Sequence, residues 1–259
     1  MIELPPPLWL PSTPAIIRPA PAIRKASVLP GLFPAAVAAG VKPADVVFAA
    51  ASSNSSSPLN NFSKTNQGFG AEDPSRQIIV LVFGYNANLV SDTNFTTSVT
   101  VGGVGAIRKV APSSKGIGHF TAWITPRADS GGPTGTSGTI QVSRSTGNGY
   151  NTVGFAAFAA YNLRDSDPIE SYSTTGQSPS ASGTLALRAG GILTAFAQAD
   201  VSTEITWAGA DEVYDAAGGV NGSQRFAAAL LSKTSATVAH AISADSADSS
   251  DAMIAVSWR

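Results

Sequence analysis

Short apolar stretches, separated by clusters of Gly, Asn, Ser and Pro, recur from Asp45 to the end of the chain. This spacing is typical of a β-sandwich or barrel rather than of helices, which need apolar residues at a period of 3.6. The run Ile78 to Phe83 lacks polar alternation, as expected for a central strand covered on both faces. We therefore predict an all-β fold, an antiparallel, jelly-roll-like β-sandwich.

The same pattern predicts about eleven strands and no long amphipathic helix. Residues 225–231 have good helix propensity, but their place in a series of strand-turn units favours a strand. Because first and last strands often pair in jelly rolls, residues 46–50 are expected beside 253–258. Residues 52–77 are predicted to form a polar loop. The other predicted strands cover 78–83, 98–101, 119–125, 139–143, 153–161, 184–187, 192–199, 205–207 and 237–242.

The first 43 residues form a separate compositional zone in which prolines recur every few positions. Proline lacks an amide donor and restricts its predecessor, so this zone is predicted to be an extended arm. Large apolar and basic side chains interrupt it, which favours docking into grooves of another protein, with packing against the chain's own sandwich as the alternative. The predicted domains are an anchoring arm, residues 1–43, and a β-sandwich domain, residues 44–259. The predicted docking residues are Trp9, Ile16, Ile17, Arg18, Ile23, Arg24, Leu32 and Phe33.

Composition narrows the classes of function. Only 13% of the residues are charged and the formal net charge is -1, so we expect no electrostatic attraction to nucleic acid or to an anionic membrane. The chain has no cysteine, which excludes disulfides and thiolate metal sites. Prolines and the acidic Glu3 near the start argue against a secretion signal.

Candidate chemistry is sparse. The two histidines, His119 and His240, fall in predicted strands, and no Gly-x-Ser-x-Gly motif accompanies them. Carboxylates beside aromatic residues between 207 and 215 resemble a carbohydrate site, with a polar loop as the simpler interpretation. Asp245, Asp248 and Asp251 could gather calcium ligands, although a solvated hairpin tip explains their spacing equally. We expect no enzyme activity, no cofactor and no metal. The candidate glycan-binding residues are Trp207, Asp211, Glu212, Tyr214 and Asp215.

Two parts of the sequence resemble a known class of proteins. Residues 6–20, Pro-Pro-Leu-Trp-Leu-Pro-Ser-Thr-Pro-Ala-Ile-Ile-Arg-Pro-Ala, and residues 29–34, Leu-Pro-Gly-Leu-Phe-Pro, resemble the start of small virion proteins of tailed bacteriophages. The strings Arg-Gln-Ile-Ile-Val at 76–80 and Val-Thr-Val-Gly-Gly at 99–103 resemble the jelly-roll or lectin-like sandwiches of phage tail, fibre and decoration proteins.

This resemblance implies a structural component of a phage virion, such as a short fibre, a decoration protein or a tail or head accessory protein. Its arm would bind other virion proteins and its sandwich would be exposed on the virion, after assembly in the host cytoplasm. A homo-oligomer such as a trimer is expected, because a thin alanine-rich sandwich buries little surface alone. The alternative is a carbohydrate- or receptor-binding module of the virion that recognises a host surface glycan.

Overall fold

The structure is a computed structural model that describes residues 42–54, 59–85, 96–112, 118–144, 151–177, 180–200, 203–218, 224–246 and 251–259. These residues form seventeen β-strands and one short 3-10 helix, Ala128–Ser130, and all strand pairs are antiparallel. The predicted all-β, antiparallel sandwich class is therefore confirmed. Within the described part, no helix has the length and apolar character needed to cross a membrane. Of the predicted arm only Lys42 and Pro43 are described, so its extended form stays a prediction.

The first half of the described chain forms one sandwich. Its strands are β1 (Asp45–Asn54), β2 (Asn61–Gly68), β3 (Gln77–Tyr85), β4 (Thr96–Val101), β5 (Val104–Gly105), β6 (Ile107–Val110), β7 (Gly118–Ile124), β8 (Ser137–Arg144) and β9 (Thr152–Tyr161). The order β1-β9-β3-β7-β6 defines inner sheet 1, and β2-β8-β4-β5 defines outer sheet 1.

The second half forms another sandwich from eight further strands. They are β10 (Glu170–Gln177), β11 (Ser180–Leu187), β12 (Ile192–Ala199), β13 (Thr206–Ala208), β14 (Asp211–Gly218), β15 (Gln224–Leu231), β16 (Thr237–Asp245) and β17 (Asp251–Trp258). The order β10-β17-β12-β15-β14 defines inner sheet 2, and β11-β16-β13 defines outer sheet 2.

The two sandwiches repeat one topology. Reading both inner sheets from the first edge to the last, β1 matches β10, β9 matches β17, β3 matches β12, β7 matches β15 and β6 matches β14. In the outer sheets β2, β8 and β4 match β11, β16 and β13. The first and last strands of each sandwich pair with each other, β1 with β9 and β10 with β17. The described chain is therefore a tandem structural repeat.

The four sheets stack in the order outer 1, inner 1, inner 2, outer 2. Successive side chains of a strand point to opposite faces, so each inner strand contributes to two cores. On β9, for example, Phe155 packs with outer sheet 1 against Phe62, whereas Phe158 belongs to the core between the inner sheets. On β17, Met253 faces outer sheet 2 and Ile254 faces inner sheet 1. The inner sheets are thus covered on both faces.

Four phenylalanine rings pack together in the interface between the inner sheets. Phe83 and Phe120 of inner sheet 1 lie 5.1 Å apart, and Phe196 and Phe226 of inner sheet 2 lie 5.9 Å apart. Across the interface, Phe120 is 6.2 Å from Phe196 and Phe83 is 6.1 Å from Phe226, both edge to face. Edge-to-face pairs add to the free energy gained from burial alone. The rings therefore hold the two sandwiches together as well as filling the core.

Two expectations about strands were wrong, and one ambiguous segment is resolved. Residues 52–77 are not one loop, because β2 lies within them; only Phe62 gives β2 a buried apolar position, so it lacks a visible alternation. Residues 46–50 do not pair with 253–258, because β1 pairs with β9. The rule that first and last strands pair holds within each repeat rather than across the whole chain. The segment 225–231 is a strand, as predicted.

The start of β1 and the end of β17 lie at the same end of the stack. The Ala44 amide donates to the Gly190 carbonyl at 2.9 Å, and the Arg164 amide, in the link between the sandwiches, donates to the Arg259 carbonyl at 2.7 Å. Ala44, close to the first described residue Lys42, lies at this end, which we call the arm end. The strand ends that flank 55–60, 86–95, 111–117, 145–151, 178–179, 200–205, 219–223 and 247–250 lie at the opposite end.

Replacing Phe226 with alanine tests the four-ring contact. Phe226 is 1% exposed, and truncation of a buried phenylalanine leaves a cavity that costs about 3–5 kcal/mol of unfolding free energy. The matched control is Val238→Ala, because Val238 is 93% exposed and its loss should cost less than about 0.5 kcal/mol. Urea unfolding of the full chain measures both values, and equal losses in the two variants would contradict the assigned interface.

Candidate functional site

The candidate glycan-binding residues lie on two strands of the second sandwich. Trp207 is in β13 of outer sheet 2, and the other four are on β14, the edge strand of inner sheet 2. The polar loop that was the simpler interpretation is therefore a strand, with a bulge between Glu212 and Tyr214. Its polar residues are tolerated because an edge strand has one side open to solvent.

The alternation of β14 places the aromatic ring and two of the carboxylates on opposite faces. Tyr214 lies opposite Ala228, which faces inner sheet 1, and its ring stacks on Phe48 at 5.7 Å. Glu212 and Asp215 lie opposite alanines that face outer sheet 2. The ring of Tyr214 is thus engaged in the contact between the sandwiches, away from these two carboxylates.

Asp215 is bound within the fold. The Arg225 guanidinium donates to its carboxylate through Nε at 2.5 Å and Nη2 at 3.1 Å, and the Ile205 amide donates at 3.2 Å. The Asp215 side chain is only 6% exposed. Its hydrogen bond and negative charge raise the pKa of Arg225. This bidentate pair ties the edge strand β14 to β15 and to the segment before β13.

Three carboxylates of this region come close together. Ligand oxygens of Glu204, Glu212 and Asp215 lie within 4.8 Å of one another, and burial, followed by repulsion from Asp215 and Glu204, raises the pKa of Glu212. Such oxygen donors suit a hard cation like Ca²⁺. The guanidinium of Arg225 already pairs with the carboxylate of Asp215, so part of the negative charge of the cluster is balanced by a side chain rather than by a metal ion.

Trp207 packs inward against the core between inner sheet 2 and outer sheet 2. Its indole Nε1 is buried and has no hydrogen-bond partner among the described residues. A ring used for stacking on a sugar must present a face to solvent. The structure brings Trp207 near β14 but does not combine it with Tyr214 into one aromatic platform.

Both histidines are integrated into sheets. His119 of β7 is 5% exposed, and burial, with a smaller contribution from the positive charge of Arg144, lowers its pKa to about 3. It is therefore neutral at physiological pH. His240 of β16 has Nε2 2.5 Å from the Gly209 carbonyl, to which it donates. His119 is thus enclosed in its sheet, and Nε2 of the partly exposed His240 is engaged by a carbonyl.

The remaining predicted residues are described only in part. The predicted docking residues, from Trp9 to Phe33, lie outside the described residues. Asp251 is buried and accepts hydrogen bonds from the amide and hydroxyl of Ser246, while Asp245 lies in β16. Asp248 also lies outside the described residues, so the calcium hypothesis stays a prediction.

Two depressions in the first sandwich were missed by sequence reasoning. One lies on outer sheet 1 beside the Gly102-Gly103 turn, and the other is lined by Glu72, Asp73 and Asp129. The residues that line the two depressions are far apart in sequence. They come together only through the pairing of β4 with β8 and through the loops that flank these two strands. The available signal was the concentration of Gly and Thr between 131 and 139, which resembles ordinary turn chemistry.

Replacing Asp215 with asparagine separates a structural role from a ligand-binding role. Loss of the charge-assisted contacts to Arg225 should lower the unfolding free energy by about 2 kcal/mol. The control Glu212→Gln, on the same strand but exposed, should lower it by less than about 0.5 kcal/mol. Denaturant unfolding at pH 7 provides the measurement; an unchanged stability of the Asp215 variant would show that the pair does not support the fold.

No protein-family model, no curated protein and no solved structure matches this chain.

Proposed function

We propose that the chain is a non-catalytic structural component of a bacteriophage virion, such as a short fibre, a decoration protein or a tail or head accessory protein. Residues 1–43 attach it to other virion proteins, and the double sandwich is the exposed part. The observation that carries the proposal is the polarity of the stack. The described chain enters the stack at the arm end, where Ala44 donates to the Gly190 carbonyl, so a partner bound to the preceding residues would hold the stack by this end.

The polarity suits a module that is held at one end. A chain anchored through residues 1–43 would be held at its arm end, and its four sheets would project from the particle. The close packing of the strands β3, β9, β12 and β17, whose residues are almost fully buried, supports a stiff projecting body rather than a pair of loosely joined domains.

The placement of the polar groups supports a role without catalysis. Catalysis needs a nucleophile or base held in reach of a substrate. In the described part of the chain, His119 is buried and neutral, His240 donates to a carbonyl and Asp215 is bound by Arg225. The engagement of these three side chains within the fold supports the proposed role without catalysis.

The proposed homo-oligomer has weaker support. Its argument from sequence was that an alanine-rich sandwich needs burial from other copies. Within one chain, however, the alanines of β9, β12, β15 and β17 are already covered by neighbouring sheets. An oligomer such as a trimer stays a prediction that rests on the resemblance to virion proteins alone.

A second candidate function is a carbohydrate- or receptor-binding module of the virion. The observation that favours it is the exposure of Asp211 and Glu212 on the edge strand β14, where hydroxyl groups of a host glycan could donate to them. The inward packing of Trp207 and Tyr214 removes the stacking platform from this region, so we rank it second.

Removing the arm tests the main proposal. A chain that starts at Lys42 keeps the Ala44 contact to Gly190 and should fold as the full chain does, but should no longer join particles that lack the protein. Far-UV circular dichroism measures folding, and co-sedimentation with the particles measures recruitment. A second variant keeps the full chain but replaces Trp9, Ile16 and Ile17 with alanine. It should also be folded and poorly recruited, because it lacks three of the predicted docking side chains.

Either of two outcomes would contradict the anchor. Recruitment of the truncated chain at the level of the full chain would show that the sandwiches make the contact. Unfolding of the truncated chain would show that the arm belongs to the core of its own sandwich.

A further inference from the structure

An open groove of about 520 Å³ crosses the outward face of outer sheet 1. Thr100 of β4 pairs directly with Gln141 of β8, and Thr139 lies two residues before Gln141 on the same face. Ile140, which lies between Thr139 and Gln141 in β8, points into the core and is fully buried. The floor of the groove is therefore a row of uncharged polar side chains fixed on two paired strands.

Glycines keep one end of the groove open. Gly102 and Gly103 form the turn after β4 with φ values of 58° and 83°, a conformation that favours glycine. A Cβ on Gly138 would lie 2.8 Å from the ring of Phe69, so this position also excludes a side chain. Around Gly103 there is open space, with no atom within 4 Å of the position of a Cβ. The hydroxyl groups at this end are consequently accessible to a ligand.

The groove offers hydrogen bonds without charge. No ionisable side chain lines it, and the hydroxyls of Thr100 and Thr139 have no intramolecular partner among the described residues. Gln141 donates to the Ser143 hydroxyl at 3.2 Å, which orients its amide along the sheet. A hydroxyl both donates and accepts, so this lining suits a ligand whose own groups do the same.

A second depression of about 350 Å³ adjoins the first, and Thr134 lines both. Its charged groups are the carboxylates of Glu72, Asp73 and Asp129 and the guanidinium of Arg76, and Pro74 and Ala128 add an apolar surface. Asp73 is bound to Ser75, whereas the exposed carboxylate of Glu72 has no partner in the described part of the chain. The lining of the second depression therefore carries three carboxylates and one guanidinium, and this net negative charge disfavours an anionic ligand.

We propose that the groove and the adjoining acidic depression together bind a neutral oligosaccharide. Sugar hydroxyls match the Thr and Gln groups of the groove and can donate to Glu72, and the C–H faces of the rings can rest on Pro74 and Ala128. Both volumes fall within the range of small-ligand sites, roughly 300–1,000 Å³. The net negative charge of the acidic depression disfavours uronic-acid and phosphate-bearing chains. This activity adds to the proposed structural role and does not depend on the arm.

The second sandwich supplies an internal comparison. On the matching strands β13 and β16, Ala208 pairs with Ser243 as Thr100 pairs with Gln141. The depression there, about 350 Å³, is lined by Ala208 and Ala241 in addition to Ser182 and Thr184, and by no carboxylate. It has the position of the first groove but fewer hydrogen-bonding groups, so we expect the sugar to bind to the first sandwich.

The test is a titration of the ¹⁵N-labelled full chain with single hexasaccharides of glucose, mannose, galactose or N-acetylglucosamine, and with hexagalacturonate as the anionic probe. At least one neutral probe should give saturable shifts in the amides of 100–103 and 137–141. In the double variant Thr100→Val, Thr139→Val its affinity should fall at least about fivefold, the loss expected for one hydrogen bond. The matched hydroxyl deletion Thr184→Val, in the second sandwich, should leave the affinity unchanged.

The proposal is overturned by any of four results. These are the absence of saturable shifts with every neutral probe, shifts of equal size in the two sandwiches, shifts confined to β14, and binding of hexagalacturonate as tight as that of the neutral probe. The Thr100→Val, Thr139→Val chain should still be recruited to particles as the unchanged chain is. Failure of sugar binding is thereby distinguished from failure of the anchoring role, which the recruitment measurement alone decides.

Discussion

The structure depends on burying both faces of the two inner sheets at once. A sheet with one wet face can alternate apolar and polar residues, but a sheet with cores on both sides needs apolar or small residues at nearly every position. The strands β3, β9, β12 and β17 meet this requirement with mostly apolar or small residues, and their burial is almost complete. Alanine is frequent in three of them because it lets neighbouring sheets approach closely, and phenylalanines fill the space that remains.

The same constraint explains why polar side chains are engaged between the sheets and accessible to a ligand on the outer faces. Polar groups that enter the inner layers are neutralised, as with His119, or bound to a partner, as with Asp215 and Arg225. The outer sheets face water on one side, and there the outward positions carry free hydroxyls, as at Thr100 and Thr139. The polar groups that a ligand can reach therefore lie on the outer faces rather than between the sheets.

Much of the fold was predictable from local patterns, and the failures have physical causes. The run 78–83 identified a strand covered on both faces, because only that setting tolerates six apolar residues in succession. The strand β2 was missed because one buried residue, Phe62, leaves no periodicity to detect. The strand β14 was missed because an edge strand can carry carboxylates that resemble a loop.

The candidate sites were less predictable than the strands. Proximity in sequence suggested that residues 207–215 act together, but the alternation of β14 turns Tyr214 away from Glu212 and Asp215. The groove on outer sheet 1 combines residues from β4, β8 and two loops, and such a meeting depends on register, which the sequence pattern does not specify. The repeated topology was hidden as well, because the two halves share strand order rather than recognisable sequence.

The central claim is that the two sandwiches form one rigid body through their inner sheets. Native-state hydrogen exchange of the full chain, followed as a function of low denaturant concentration, tests it most directly. The account predicts that amides of β3 and β9 in the first sandwich and of β12 and β17 in the second exchange only through global opening, with the same free energy. A second sandwich that opens at a clearly lower free energy than the first would contradict the claim, since it would show two independent domains joined by a weak contact.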